Sequence, residues 1–345
     1  MRLAPRQKKL LLMAVGMAVT LGCLWYVARQ VDFSGVGRAL AHMNPWWLGP
    51  VALTSLGSFF FRVLRWRRLL ASTRRVPLGA AFQAYVLGNF ANVVFPLRAG
   101  EITRVLVIGH SQELSRSSAL ASLVVERVLD LATLLALLAL TLALFPLPAW
   151  ATSSAWVLLG LVAAGVALLA VIRFSDLCSR WLLALLERLL PAKWAGPASR
   201  MLISFRSGLA GPAGAQSYLA LLAETLGTWG CFGLSIYLML WGLDLVRPYD
   251  LGLLAVLVVV VLLTMGVAVP SGPAQVGPFH LSAMVALNLF GVPMEQGLGW
   301  ALIYHFLNLL IIVVLGLWML KGLGRGLAWL GSQTQESPPA EEQGS

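Results

Sequence analysis

Long apolar runs, each about the length of a bilayer crossing and separated by short polar joints, repeat along nearly the whole chain. A hydrocarbon core about 30 Å thick needs ~20 apolar residues per helix. By that criterion full spans fall at about 10–28, 46–61, 117–144, 154–172, 217–242, 250–269 and 296–320. The pattern predicts an all-α polytopic membrane protein of about 7–8 transmembrane helices, with residues 1–331 forming one transmembrane domain. Residues 332–345, rich in Pro, Gln and Glu, are expected to form a disordered tail.

Two apolar segments interrupt this regularity. Residues 78–97 carry Gln83, Asn89 and Asn92 and run into Pro96-Leu97-Arg98-Ala99-Gly100-Glu101. Residues 270–292 open with Pro270-Ser271-Gly272-Pro273 and continue through Gly277-Pro278-Phe279-His280. Backbone broken by Pro and Gly at membrane depth is tolerated where protein or a wet cavity covers it, so both segments are predicted as re-entrant hairpins. One lies in each half of the chain, the placement expected of inverted repeats around a midplane site. Seven crossings put the C-terminus outside, whereas Lys321 and Arg325 favour the inside; an eighth crossing by the second hairpin reconciles the two.

Composition agrees with a membrane solvent, since 59% of residues are hydrophobic and 11% charged, against roughly 25% charged in soluble domains. The net charge of +11 does not point to nucleic acid, because the basic residues cluster in the joints between apolar runs. Arg62, Arg65, Arg67, Arg68, Arg74 and Arg75 follow the second run, and Arg2, Arg6, Lys8 and Lys9 precede the first. The positive-inside rule places both clusters, and so the N-terminus, in the cytoplasm of a multi-pass protein of the inner cell membrane. The first run is too long for a signal peptide and is expected to be a retained span. Residues 173–216 mix arginines with leucines and tryptophans, as suits cytoplasmic amphipathic helices on an anionic leaflet. Cys23, Cys178 and Cys231 stand in no metal or disulfide pattern, and no metal or cofactor is expected.

Candidate chemistry lies where polar groups interrupt apolar runs. Glu126, Arg127 and Asp130 fall within five residues of the third span; Glu126 and Asp130 share a helix face, and Arg127 and Asp130 have pairing distance. Such charges must face protein or water, either as a structural ion pair near the inner interface or as a site. Arg98, Glu101 and Arg104 flank the first break and suit a phosphate, although loop arginines are also what the positive-inside rule expects. Asn89 and Asn92 can hydrogen-bond between helices. His280, His305 and Asn308 are read as supporting polar groups, without a second histidine at metal-ligand spacing. Glu224 carries a weaker signal. No hydrolase, zinc or nucleotide-binding motif occurs, so a non-enzymatic role is expected.

The stretch Gly88-Asn89-Phe90-Ala91-Asn92 through Pro96, Arg98, Gly100, Glu101 and Arg104, followed by Glu126-Arg127-Val128-Leu129-Asp130, resembles the lysylphosphatidylglycerol synthetase transmembrane-domain family. The second break, Pro270 to His280, is similar to that family's later Pro/Gly-rich segment, although many relatives carry an acidic residue where His280 stands. The resemblance runs from Leu10 to Leu320. It implies a flippase-like domain that moves or binds lipid, with no soluble synthetase module in this sequence. It also implies that Arg98, Glu101, Arg104, Glu126, Arg127 and Asp130 form one polar cavity for a lipid head group at the inner leaflet. Three functions remain in view: a transporter of a phospholipid or isoprenoid-linked lipid, an intramembrane lipid-modifying enzyme or subunit, and a membrane scaffold for a lipid-synthesis partner.

Overall fold

The computed structural model describes residues 5–41, 43–95, 100–145, 175–189, 214–269 and 271–322, with scattered positions between 152 and 203. Arg98, most of the predicted span at 154–172 and the tail at 332–345 lie outside the described residues. Regular structure among the described residues is helical. The elements are α1 (Pro5–Gln30), α2 (Phe33–Ala41), α3 (Leu48–Leu70), α4 (Leu78–Val94), α5 (Gly100–Gln112), α6 (Arg116–Leu144), α7 (Asp176–Leu189), α8 (Ala215–Gly242), α9 (Leu253–Ala268), α10 (Pro278–Asn288) and α11 (Met294–Gly322). Of the predicted amphipathic segment at 173–216, α7 is the described helix.

Among the described residues three helical stretches, Pro45–Leu70, Ala215–Gly242 and Met294–Lys321, are long and apolar enough to cross a membrane. Much of their apolar surface points outward: Leu53, Leu226 and Phe306 are largely exposed. In water, apolar patches of this extent are rare on a monomer; in lipid they are the expected outer face. The protein is a multi-pass membrane protein.

Among the described residues the most extensive helix contact is that of α3 with α8. A Cβ on Gly227 would strike the Phe61 ring, and one on Gly57 would approach Cys231 Sγ. Small residues at such crossings let the backbones approach where lipid supplies no hydrophobic drive between helices. Ser58 Oγ adds a hydrogen bond to the Thr228 carbonyl at 2.9 Å. Toward one end, Arg68 grips Glu224 through Nε at 2.9–3.0 Å and Nη2 at 2.7 Å.

Each broken segment is a pair of short helices packed on each other, α4 with α5 and α9 with α10. The sequence predicts 250–269 as a span and 270–292 as a hairpin; in the structure α9, with 16 residues, packs along α10 as one pair. A helix of that length falls short of ~20 residues, and its buried face, Val256 to Leu263, packs in the same core as Ala283 and Leu287 of α10. The first pair likewise extends past 97, through α5 to Gln112.

The two pairs open at opposite ends of the bundle. Arg74, before α4, meets Glu113, after α5, at 3.9 Å, beside the start of α6. At the far end of α6, Phe145 stacks on Phe290, just after α10, with centroids 4.8 Å apart. Each pair has its own apolar core: Val63, Trp66, Leu87 and Ile108 surround the first, and Val259, Leu287 and Trp300 the second.

Candidate functional site

The second predicted span was expected to end at 61, but α3 continues to Leu70. Arg62 and Arg65 are therefore helix residues inside the bundle, not joint charges, and with Trp66 they lie on one face at i, i+3, i+4 spacing. That face meets α6. Arg65 Nη2 donates to Asp130 Oδ1 at 2.6 Å and stands 4.0 Å from Glu126 Oε1. Both side chains of the Arg65–Glu126 pair are fully buried.

The family-like motif residues converge on the same point. Arg104 Nη2 donates to Glu126 Oε2 at 2.7 Å, and Arg127 Nη2 to Glu126 Oε1 at 2.9 Å. Arg127 also reaches Asp130 at 3.5 Å and Glu101 at 3.9 Å. Arg62 completes the cluster, 3.8 Å from Asp130 Oδ2. Five of the six head-group residues expected from the sequence, Glu101, Arg104, Glu126, Arg127 and Asp130, are thus brought together. Arg98 is not among the described residues.

The cluster is tightly interlinked. The Arg104 guanidinium lies 4.2 Å from the centroids of both Trp66 and Tyr85, a cation–π sandwich. Trp66 is itself fixed by its indole N–H, which donates to Ser122 Oγ at 3.0 Å. Arg104 reaches Glu126 only because α4 and α5 cross on glycines. A Cβ on Gly88 would collide with the Arg104 side chain and the Gly100 carbonyl, and one on Gly100 would collide with the Gly88 carbonyl. Asn92 Oδ1 accepts the Gly100 N–H at 2.8 Å, satisfying an otherwise orphan donor at the start of α5.

Beside this cluster lies a cavity of about 180 Å³ between α3, α4, α8 and α11. Ser55, Ser58 and Arg62 line it from α3, Tyr85 and Asn89 from α4, Ser235 from α8, and Tyr304 and Asn308 from α11, with Phe59 and Phe232. Tyr304 and Ser235 hydroxyls share a hydrogen bond of 2.6 Å. Asn89 Nδ2 donates to the Tyr85 carbonyl at 2.9 Å and Asn308 Nδ2 to the Tyr304 carbonyl at 2.8 Å, each four residues back on its own helix. The two amides are thereby fixed in orientation, one from each half of the chain.

His280 and His305 form a third locus. Although distant in sequence, their ring centroids lie 5.0 Å apart, with Phe279 4.5 Å from His305. Sequence spacing gave no second histidine near the first; the packing of α10 on α11 supplies it. No group of three metal-ligating side chains occurs among the described residues. The break before α10 carries backbone in the left-handed region at Ala274 (φ 55°), Gln275 (φ 59°) and Gly277 (φ 99°). For the non-glycine residues Ala274 and Gln275 such conformations cost ~1–3 kcal/mol each and persist where surroundings over-determine them, whereas Gly277 adopts its φ freely. Here Gly272 N–H donates to Thr20 Oγ1 of α1 at 2.9 Å, and Gly277 N–H to His280 Nδ1 at 3.4 Å.

The sequence alone did not mark Arg62, Arg65, Trp66, Tyr85 and Tyr304 as neighbours of the cluster and cavity; Glu224, its weaker signal, pairs with Arg68 away from both. The legible signal was the helical spacing of Arg62, Arg65 and Trp66, masked by counting every arginine after the apolar run as a joint charge.

No solved structure matches the chain. Among curated proteins, the glycosyltransferase AglD of Haloferax volcanii is 30% identical over 131 residues, 38% of this chain. The match takes in 21% of that protein, so the chain spans about a fifth of its relative's length. A family model, the lysylphosphatidylglycerol synthase TM region, matches residues 13–316, across both breaks and the whole ionic cluster, and the chain belongs to that membrane family.

Proposed function

We propose that the protein is a lipid transporter that moves a phospholipid or an isoprenoid-linked lipid between leaflets without modifying it. The observation that carries this reading is the polar cavity at the meeting of four helices, bordered by the ionic cluster and flanked by two broken helix pairs that open at opposite ends. A transported head group needs a polar place inside the bilayer, and discontinuous helices at a repeat interface are where transporter folds put one. In this reading the two pairs are re-entrant hairpins related as inverted repeats. The cavity takes the head group, and Glu101, Arg104, Glu126, Arg127 and Asp130 form the charged wall beside it. The arginine-rich end, where α3 finishes and α6 starts, faces the cytoplasm, as does the N-terminus, in the inner cell membrane. A lipid-synthesis enzyme is the natural partner, delivering its product to this end.

An intramembrane enzyme fits less well. A general base needs a free carboxylate or imidazole within reach of its substrate, and Glu126 and Asp130 are each gripped by arginines. A scaffold leaves the buried charges without a use.

Reconstitution of the purified protein into vesicles with a panel of labelled phospholipids and polyprenyl phosphates tests the proposal. Movement of at least one panel lipid faster than in protein-free vesicles is expected. Folded protein that moves none of them overturns it.

A further inference from the structure

The charges around the cavity are unequal. Four guanidinium groups, Arg62, Arg65, Arg104 and Arg127, face three carboxylates, Glu101, Glu126 and Asp130, which leaves one positive charge in excess among the described residues. The excess is not spread evenly. Arg104 and Arg127 are bound to Glu126 at 2.7 and 2.9 Å, and Arg65 to Asp130 at 2.6 Å. Arg62 alone of the four has its nearest carboxylate oxygen as far as 3.8 Å, and that oxygen belongs to an aspartate already held by Arg65. Arg62 is also the one of the four that lines the cavity, and 25% of its side-chain surface is accessible.

The remaining lining is neutral. Serine and tyrosine hydroxyls and two carboxamides face the cavity, and no carboxylate is among its lining residues. Asn89 and Asn308 each use one amide N–H on their own helix; an amide has a second N–H and a carbonyl oxygen, which suit a hydroxylated ligand. An ammonium group entering here would meet Arg62 and no carboxylate among the lining residues, the nearest, Asp130, being held by Arg65. Like charges brought together in a desolvated site repel, the usual basis of rejection rather than mere weak binding.

We infer that the cavity binds a lipid whose phosphate is its only charge, with that phosphate on Arg62 and an uncharged, hydroxyl-bearing head group on Asn89 and Asn308, and that it rejects lipids whose head group carries an amine. This rests on the transporter reading for its purpose but not for its test, which measures binding alone.

The test uses the full chain in detergent micelles, with binding read by native mass spectrometry or thermophoresis. The probes are phosphatidylglycerol, its lysyl ester with the same acyl chains, phosphatidylethanolamine, and soluble glycerol 3-phosphate. Phosphatidylglycerol is expected to bind about tenfold or more tightly than either amine-bearing lipid, and glycerol 3-phosphate far more weakly. Arg62→Gln should lose at least tenfold for phosphatidylglycerol, while Arg62→Lys retains most of it. Asn308→Asp, which puts a carboxylate in the cavity, should weaken phosphatidylglycerol and strengthen the lysyl lipid, a reversal that misfolding cannot produce. Equal or tighter binding of the lysyl ester to the wild type overturns the inference, as does unchanged binding in Arg62→Gln. Glycerol 3-phosphate binding as tightly as the lipid also overturns it, making the ligand a soluble phosphate. Selective binding with no movement between leaflets would refute transport and leave this site standing.

Discussion

At the scale of single residues, Glu126 holds the site together. Its two carboxylate oxygens accept from Arg104 and Arg127, with Arg65 4.0 Å away, and its side chain is wholly buried. Arg65 also keeps Nε and Nη1 without hydrogen-bond partners among the described residues, so the cluster has no reserve of acceptors. Removing one partner of a buried ion pair typically costs ~3–5 kcal/mol, because the other charge is left uncompensated. Glu126→Ala should therefore lower the thermal stability of the detergent-solubilised protein sharply, and Glu126→Ala combined with Arg104→Met should recover much of the loss. A single variant that melts like the wild type would show that the arginines find other partners. Tyr304→Phe is a milder case: it removes the 2.6 Å bond to Ser235 and should cost about 0.5–1.5 kcal/mol.

At the scale of elements, the site depends on how closely the two arms of the first broken pair approach. Gly88 and Gly100 face each other so tightly that either Cβ would meet the opposite carbonyl, and Arg104 runs through the space Gly88 leaves. Gly88→Ala is expected to destabilise by ~1–3 kcal/mol, as overpacking does, and to displace Arg104 from Glu126. Surface Gly49→Ala, with open space around it, is the matched control and should be neutral or slightly stabilising. Equal effects of the two would show that the crossing is not tight. Much of this level was legible in the sequence. The Pro/Gly breaks marked both pairs, and the Glu126-Arg127-Val128-Leu129-Asp130 spacing put two carboxylates on one face. What blurred the reading was the apolar run count: α9 is uniformly apolar because it is buried against α6, α8 and α10, and a buried helix and a lipid-crossing one look alike in composition. The end of α3 misled for the opposite reason, since Arg62 and Arg65 look like joint residues until carboxylates from another helix are known to meet them.

At the scale of the whole molecule, the opposed openings of the two helix pairs predict a particular sidedness. With the native Cys23, Cys178 and Cys231 replaced, cysteines at Ser72 and Ser111 should react with an impermeant reagent from one face of the membrane. Cysteines at Arg247 and Pro293 should react from the other. Ser72 and Ser111 labelling from opposite faces would mean that the first pair crosses the bilayer. The contact between Arg74 and Glu113 argues that it returns. The sequence alone did not place His280 beside His305, because their rings meet through the packing of α10 on α11, nor did it join the two halves around one cavity, because α3 and α4 are far from α8 and α11 in the chain.

The central claim is that lipid passes through the cavity between α3, α4, α8 and α11. The most direct measurement compares transbilayer movement of a labelled lipid in vesicles carrying the wild type, the cavity-filling Asn89→Trp variant, or no protein. The variant's folding is checked by its melting temperature. Wild-type vesicles should exchange the lipid well above the protein-free rate, and the folded Asn89→Trp protein should fall to that rate. Undiminished exchange by the filled variant would contradict the account.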